Sequence, residues 1–197
     1  MNEEHRCRCR CQWLDTTKAD YVTYHDDEWG VPVYDDQKLF EYLTLESAQA
    51  GLSWYTILKR RDGYREAFAN FDVNKVALFS EDDVEALLLN TGIIRHRGKI
   101  NATINNAKLF IAIQKEFGSF SDYMWGFVNH KTIVNTTNAH LATTAESDAW
   151  SKDLKKRGFK FVGSTICYAH MQACGMVNDH SHDCYRRSEI ITEFNQS

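Results

Sequence analysis

The stretch KKRGFKFVGSTICYAHMQACGMVNDHSHDC, residues 155–184, decides how the rest of the sequence is interpreted. It opens with four cations within six residues, and Gly158 and Gly163 then bracket a short bend. Ser164 and Thr165 offer an N-cap, after which small and apolar residues recur on one helical face. The pattern predicts a helix, a turn that requires glycine at both ends, and a second helix.

This hairpin is either an ordinary packing unit of a helical core or an element that binds phosphate. Helix pairs joined by glycine turns are common in cores. In the second interpretation, the N–H groups of the turn and the positive end of the second helix hold a phosphate. The sequence that follows bears on the choice, because His180 and Cys184, four residues apart, form half of a candidate metal site.

The composition is that of a globular protein. Of 197 residues, 43% are hydrophobic and 13% aromatic, which excludes a disordered chain. A net charge of −4 does not indicate a nucleic-acid binder, although cations cluster locally at 59–61, 95–99 and 155–160. No apolar run suits a transmembrane helix or a secretory signal. We therefore expect a cytoplasmic protein whose six cysteines are thiols or metal ligands.

A succession of helical faces and a single proline predict an all-α protein. Helices are expected to run from Asp36, from a capping box at 80–83, and over 100–117 to a stop at a glycine. Residues 129–146 are expected to form a long irregular surface connection, with the segment KTIV a weak candidate for a strand. The tail from Tyr185 is expected to be loosely held.

Two segments before residue 60 carry candidate pocket residues. The loop YVTYHDDEWGVPVYDD, residues 21–36, is dense in aromatic rings, which either plug the core or line a pocket for a flat ligand. Glu46 stands among small and apolar residues, so it is either a solvated surface residue or a partly buried carboxylate with a function. Gly51 then interrupts the helix, and Leu52 follows at an expected exposed bend.

The amino-terminal segment CRCRC, residues 7–11, supplies further candidate metal ligands. One of its thiols and His25 would form a second pair of zinc ligands. Cys11 is favoured because it lies nearest to His25 in sequence, while Cys7 and Cys9 stay open as alternatives. The other interpretation is an incidental thiol-rich tail.

Several blocks of sequence, taken in order, closely resemble the family of 3-methyladenine DNA glycosylase I, the bacterial alkylation-repair enzymes often called TAG. The blocks are YHDDEWGVP, LFEYLTLESAQAGLSW, GIIRHRGKI, FVNH, KKRGFKFVGSTICY and MQACGMVNDH with HSHDC. The resemblance implies an all-helical, helix–hairpin–helix glycosylase fold, with one domain over residues 1–197 and an ordered core at about 7–186. It also implies base-excision repair by hydrolysis of the N-glycosidic bond of N3-alkylated adenine in DNA.

The resemblance implies a structural zinc ion that joins the two ends of the chain. A closed Cys2His2 set leaves no open position for a water nucleophile. Its four ligands would be Cys11, His25, His180 and Cys184. The extra thiols of Cys7 and Cys9 leave the identity of the amino-terminal ligand open. Asp179 receives no role from the resemblance, and we interpret it as a capping residue or a support for the ligand His180.

The resemblance further implies a pocket for a flipped-out base. The base-binding residues would be Tyr21, Tyr24, Glu46 and Trp54. Glu46 is also the one catalytic candidate, expected to recognise the cationic base as a carboxylate rather than to supply protons. No lysine nucleophile is evident, so we expect a monofunctional hydrolase. Contacts to DNA are predicted at Gly51, Leu52, Gly158, Lys160, Gly163, Ser164 and Thr165.

The expected partner is double-stranded DNA that contains alkylated adenine, bound by a monomer with no membrane association. Two other functional classes stay open. A zinc-stapled DNA-binding module without catalysis is disfavoured by the presence of Glu46 and the pocket aromatics. A zinc hydrolase of small molecules is disfavoured by the closed ligand set. A glycosylase assay on methylated DNA separates the three.

Overall fold

The computed structural model describes residues 8–137 and 140–194 and is mostly helical, as predicted. A π-helical turn, Tyr24–Glu28, continues the first helix, and 3-10 turns lie at Ala69–Phe71 and Gly126–Val128. None of the helices in the described ranges is long and apolar enough to cross a membrane. The helices there are α1 Ala19–Thr23, α2 Asp36–Gln49, α3 Trp54–Leu58, α4 Arg61–Ala67, α5 Val73–Val76, α6 Glu81–Leu89, α7 Arg97–Phe117, α8 Phe120–Trp125, α9 Ala145–Arg157, α10 Ser164–Ala173 and α11 Tyr185–Phe194, and the strands are β1 Ile133–Val134 and β2 Val177–Asn178.

Helix α2 is the centre of the fold. The Asp35 side chain accepts a hydrogen bond from the Lys38 N–H at 2.8 Å and thereby caps the start of the helix. Ten consecutive residues, 39–48, are buried, so the helix has no solvent face along this stretch. It packs against α3, α7, α8 and α10. Any polar side chain in this stretch must therefore find a partner inside the protein or face a cavity.

Two cations of the 95–99 cluster make intramolecular contacts. The Lys99 ammonium donates to the carbonyls of Ala48 and Ala50, both at 2.8 Å, and so satisfies the C-terminal end of α2. Arg97 is ion-paired with two glutamates of α6. These contacts join α7 to α2 and α6 and make the basic connector part of the scaffold.

The predicted helix–turn–helix is formed by α9, the turn 158–163 and α10, and the two helices pack against each other. Gly158 has φ +99 and ends α9, as expected of a left-handed C-cap. Gly163 has φ −63, and a Cβ there would meet no atom within 4 Å. The prediction that the turn needs glycine at both ends is therefore wrong for Gly163. The other left-handed position in the turn is Phe161, with φ +54.

The start of α10 also differs from the prediction. Ser164 is the first helical residue, and Gly163 occupies the N-cap without a side-chain hydrogen bond. The Ser164 hydroxyl instead bonds to the Ser147 hydroxyl at 2.9 Å and donates to Asp148. The reason is tertiary, because both partners lie on the neighbouring helix α9.

Side chains from three helices fix the carbonyl groups of the turn. The Asn106 side chain donates to the Lys160 carbonyl and accepts from the Lys160 N–H, each at 2.9 Å. Asn105 donates to the Gly158 carbonyl at 3.1 Å. The remaining two bonds run from the hydroxyl of Ser151 to the Val162 carbonyl at 2.7 Å and from the hydroxyl of Ser47 to the Phe161 carbonyl at 3.1 Å. The bond from Ser47 places the turn beside α2.

The loop after the π-helical turn lies against the end of α10. The Gly30 N–H donates to the Gln172 carbonyl, and the Val33 N–H donates to the Cys174 carbonyl, each at 3.0 Å. Gly175 has φ +74, and a Cβ there would lie 2.4 Å from the backbone of residues 31 and 32. Only glycine permits this close approach.

The carboxy-terminal part of the chain is more ordered in structure than predicted. Strand β1 lies in the segment KTIV, the weak strand candidate within a connection otherwise expected to be irregular, and pairs in parallel with β2. The tail from Tyr185 forms α11, where Ile190 is 1% exposed. Arg187 of this helix donates to the His180 carbonyl at 2.9 Å and to the Asn135 carbonyl at 2.5 Å. The expectation of a loosely held tail is therefore wrong, because these long-range contacts were not visible in the sequence.

Candidate active site and metal centre

Four buried side chains form a cluster that could hold a metal ion. They are the predicted ligands from both ends of the chain, and their ligand atoms all lie within 4.8 Å of one another: Cys11, His25, His180 and Cys184. Nδ1 of His180 lies 3.4 Å from each of the two sulfur atoms, and Nε2 of His25 lies 3.6 Å from Sγ of Cys184. The fold thus brings together residues separated by 173 positions in sequence, 11 to 184.

Hydrogen bonds orient both imidazole rings of the cluster. Nε2 of His180 lies 3.0 Å from the Trp29 carbonyl, which leaves Nδ1 directed at the sulfurs. Nδ1 of His25 lies 2.8 Å from the Asp26 carboxylate, which leaves Nε2 directed at the cluster. Asp26 in turn accepts from Arg10 at 2.7 Å. Such partners fix the ring orientation and the tautomer of metal-binding histidines.

Cys11 is the amino-terminal thiol in the cluster. Cys9 is exposed, and its thiol donates to Asp183 at 3.2 Å outside the cluster. Cys7 lies outside the described residues. A hydrogen bond with Cys184 lowers the pKa of Cys11 to about 7, which favours the thiolate form that metal ions bind.

A cavity of about 840 Å³ lies beside the cluster, and all four predicted base-binding residues line it. Tyr21 comes from α1, Tyr24 from the π-helical turn, Glu46 from α2 and Trp54 from α3. The Tyr24 and Trp54 ring centroids are 5.3 Å apart. A concave site of this size, lined by five Trp and Tyr rings together with polar side chains, is typical of a pocket for a small planar ligand.

Glu46 is a buried acid without a partner. It is 4% exposed, and no hydrogen bond or ion pair reaches its carboxyl group from residues 8–137 or 140–194. The other buried acid of α2, Glu41, pairs with Arg65 at 2.8 Å and with Lys38 at 3.3 Å. Burial raises the pKa of Glu46 to about 8, so the neutral acid predominates at pH 7 in the free protein. The sequence suggested a carboxylate instead.

Sequence reasoning missed several residues of the cavity. Trp13, 37% exposed, presents the most open aromatic ring among them, and Trp29 contributes a nearly buried one. The position of Trp13, two residues after a candidate metal ligand and before an aromatic loop, is the one signal that could have suggested it. The polar lining also includes residues that were not predicted: Gln12, Gln49, Asn135, Gln172 and Asp179.

Asp179 is tied to the cavity wall and not to the metal ligand beside it. Its carboxylate accepts from Asn135 at 2.5 Å, from the Tyr168 hydroxyl at 3.1 Å and from Gln172 at 2.6 Å. The N–H of His180 bonds instead to Asn178. The interpretation of Asp179 as a cap or a support for His180 is therefore wrong, because its donors come from α10 and from the segment after β1.

Two predicted DNA contacts lie on the turn between α2 and α3, close to the cavity. Gly51 has φ +81 and open space around its Cα, and Leu52 is 39% exposed. The turn is flanked by Glu46 on one helix and Trp54 on the next, both of which line the cavity. An exposed leucine therefore stands near the cavity.

The other predicted DNA contacts lie on the hairpin, outside the cavity lining. Lys160 and Thr165 are exposed, whereas Gly158, Gly163 and Ser164 are partly buried. Arg157, one of the four cations that open this stretch, is engaged with Asp153 and Glu116. The structure thus separates the predicted site into an aromatic cavity and a neighbouring basic turn, which meet at α2.

Comparisons with known proteins identify a family and related solved structures. A family model described as methyladenine glycosylase matches residues 13–187. DNA-3-methyladenine glycosylase 1 of Escherichia coli (strain K12) is 54% identical over 178 residues, which cover 89% of this chain and 95% of the relative. A crystal structure of 3-methyladenine DNA glycosylase I (TAG) is 51% identical with a TM-score of 0.87, covering 90% of this chain and 98% of that chain. A single-residue variant of the same type of enzyme, solved in complex with 3-methyladenine, is 36% identical with a TM-score of 0.87, covering 90% and 97% of the two chains.

Proposed function

This chain belongs to the methyladenine glycosylase family, whose members hydrolyse N-glycosyl bonds, and from that premise we propose that it excises N3-alkylated adenine from double-stranded DNA. The observation that carries the proposal is Glu46, an unpaired acid within a cavity lined by aromatic rings. A base must leave the duplex before an enzyme can act on it, and aromatic faces then stack on it. Tyr21, Tyr24 and Trp54 supply such faces.

An unpaired buried acid suits a purine that is alkylated at N3. Adenine presents the N7 acceptor and the N6 amino donor along one edge. A neutral carboxyl group can donate to N7 and accept from the N6 amino group, whereas a carboxylate can only accept, from the amino group. An N3-alkylated adenine is cationic while it is attached to the sugar, so an ionised Glu46 would gain a charge-assisted hydrogen bond to it. Unmodified adenine is neutral and lacks this gain.

The positive charge also reduces the demand for acid catalysis. When the bond between N9 and C1′ breaks, its electron pair stays with the base and neutralises it. Water supplies the hydroxyl group that bonds to C1′, and its proton leaves to solvent. Glu46 then binds and orients the base and does not need to protonate it. No lysine in the described part of the chain lines the cavity, which supports a monofunctional hydrolase without lyase chemistry.

The metal ion is proposed to be a structural zinc. Tetrahedral zinc with Zn–S of about 2.3 Å and Zn–N of about 2.05 Å places sulfur and nitrogen ligands about 3.6 Å apart. Three of the four sulfur–nitrogen distances in the cluster are 3.4, 3.4 and 3.6 Å. With two cysteines and two histidines the set is complete, so the metal would supply no catalytic water. Cys11, His25, His180 and Cys184 would hold the ion and stabilise the junction of the chain ends.

DNA is proposed to lie across the hairpin and the α2–α3 turn. Lys160 and Thr165 would approach a phosphate with the start of α10, in the manner of a helix–hairpin–helix element. Exposed Leu52 would fill space left by the flipped nucleotide, as apolar wedges do in other DNA-bending proteins. The single domain over residues 1–197, the monomeric state, the cytoplasmic location and the roles of Gly51, Gly158, Gly163 and Ser164 in DNA binding stay predictions.

The test is release of free base from methylated duplex DNA. The protein should liberate 3-methyladenine and leave an intact abasic strand, with no strand cleavage and no adduct trapped by borohydride. DNA binding without release would indicate a binding module without catalysis. Release from the free methylated nucleoside at the same rate as from DNA would indicate a hydrolase of small molecules. Either result would contradict the proposed function.

A further inference from the structure

The metal-ligand cluster and the cavity share structural elements. His180 is a cluster residue and also lines the cavity. His25 and Tyr24 are consecutive residues of the π-helical turn, one in the cluster and the other in the cavity wall. Trp13 follows Cys11 by two residues, in a turn closed by a hydrogen bond from the Leu14 N–H to the Cys11 carbonyl at 3.1 Å. A shift of the ligands would therefore move cavity residues.

Aromatic contacts extend this connection. We call Trp13, Tyr21, Tyr24 and Trp29 the aromatic wall. Within it, the Trp13 ring lies 5.3 Å from that of Tyr21 and 5.0 Å from that of Trp29. The wall also touches the cluster, because the Trp13 ring is 5.3 Å from His25 and the Trp29 ring is 4.6 Å from His180. Ring pairs at such separations favour particular mutual orientations.

Two further cavity residues belong to helices that carry no cluster ligand. Glu46 belongs to the central helix α2, and Trp54 belongs to α3, which packs against α2. The segment that carries Trp13 has further attachments to the scaffold before Cys11. Among those in the described residues are the ion pair of Arg10 with Asp26 and the hydrogen bond from the Tyr185 N–H to the Cys9 carbonyl. Glu46 and Trp54 are thus held by the helical core, whereas the aromatic wall lies against the cluster.

We propose that the metal ion positions the aromatic wall, so that metal binding and base binding stabilise each other. The inference rests on the proposed function, since the base is taken to bind in this cavity. The cluster would then act as a positioning device for recognition as well as a clasp between the chain ends. Coupling between two sites is reciprocal, so a bound base must raise the affinity for zinc by the factor by which zinc raises the affinity for the base.

The experiment measures both affinities. Calorimetry gives the affinity of free 3-methyladenine for zinc-loaded and zinc-free protein, and titration with a competing chelator gives the zinc affinity with and without saturating base. We expect the same factor from both, about fivefold or more, as is found between coupled sites. Zinc-loaded protein that does not bind the base would overturn the function and the coupling together. Base binding with unchanged zinc affinity would overturn the coupling alone.

Two variants separate positioning of the wall from support of the whole fold. Trp13→Leu should keep zinc but reduce the coupling factor, because a ring that touches both the cluster and the rest of the aromatic wall is lost. Trp54→Phe should weaken base binding at a residue of the helical core and leave the coupling factor unchanged. Equal coupling in Trp13→Leu and wild type would overturn the proposal. Loss of helical circular dichroism in zinc-free wild type would overturn it too, since the metal would then support every helix.

Discussion

Replacing Glu46 by glutamine tests which protonation state of this residue recognises the base. The neutral carboxyl group offers one hydrogen-bond donor and one acceptor, and a glutamine amide also offers both. A carboxylate offers acceptors only. Because burial raises the pKa of Glu46 to about 8, Glu46→Gln imitates the form that predominates at pH 7 and removes the form that predominates at pH 9.

The size of the effect depends on pH. With a pKa of about 8, about one molecule in ten is ionised at pH 7 and about nine in ten at pH 9. A hydrogen bond to a charged group contributes about 1.5–3 kcal/mol, which corresponds to about ten- to 160-fold in rate if the carboxylate binds the cationic nucleotide. At pH 7, one unit below the pKa of about 8, ionising Glu46 costs about 1.4 kcal/mol, which is subtracted from the gain of the hydrogen bond. The advantage of wild type over the variant should therefore grow about tenfold between pH 7 and pH 9.

The assay is kcat/KM for release of 3-methyladenine from methylated duplex DNA between pH 6.5 and 9.5. The wild-type value should rise through pH 8 and the variant value should stay flat. The free base has left with the bonding electron pair and is neutral, so its calorimetric affinity should be nearly the same for both proteins at pH 7. Treating Glu46 as a carboxylate, as the sequence suggests, predicts weaker binding of the free base by the variant instead.

Two results would refute this reasoning. One is a wild-type kcat/KM that does not change between pH 7 and pH 9. The other is a loss of excision in the variant that is the same at every pH. Two groups near Glu46 titrate outside this window, because burial raises the pKa of Tyr24 well above 10 and that of Cys174 to about 12.

Three further predictions concern stability, metal and DNA. Burial raises the pKa of Glu46 from 4.5 to about 8 in the folded protein, so the wild type loses stability as the pH rises between those values. At pH 7 the free energy of unfolding of Glu46→Gln, measured in urea, should therefore exceed that of the wild type by up to about 3 kcal/mol. Equal free energies of unfolding would contradict the burial argument. Cys184→Ser should lose zinc in metal analysis and melt at a lower temperature, whereas Cys9→Ser should keep one zinc per chain; a fully active protein without zinc would remove the metal site. Gly163→Asp should weaken salt-dependent binding to undamaged duplex DNA, and the chain should stay folded because a Cβ at this position meets no other atom. Gly126→Asp adds the same charge at another open position and serves as the control. Equal DNA binding by the two variants would show that the hairpin is a packing unit only.

Local signals in the sequence were enough to locate the main helices. The buried pattern after Asp36, the capping box of Ser80 and Asp83 and the stop at Gly118 each act within a few residues, and the structure confirms all three. The metal cluster could also be inferred, since the thiols and imidazoles at the two chain ends combine with a family resemblance. These features depend on residue type and spacing, which the sequence contains directly.

The charge and the partners of individual side chains could not be inferred in the same way. Whether Glu46 is paired like Glu41 depends on which helices surround α2, and its neutral form follows from their packing. Asp179 contacts donors 44, 11 and 7 residues away, and its neighbour in sequence, His180, is not among them. Trp13 joins the cavity because the chain ends meet at the cluster. Burial and long-range contact set the properties of these groups, and both arise only when distant segments of the chain pack together.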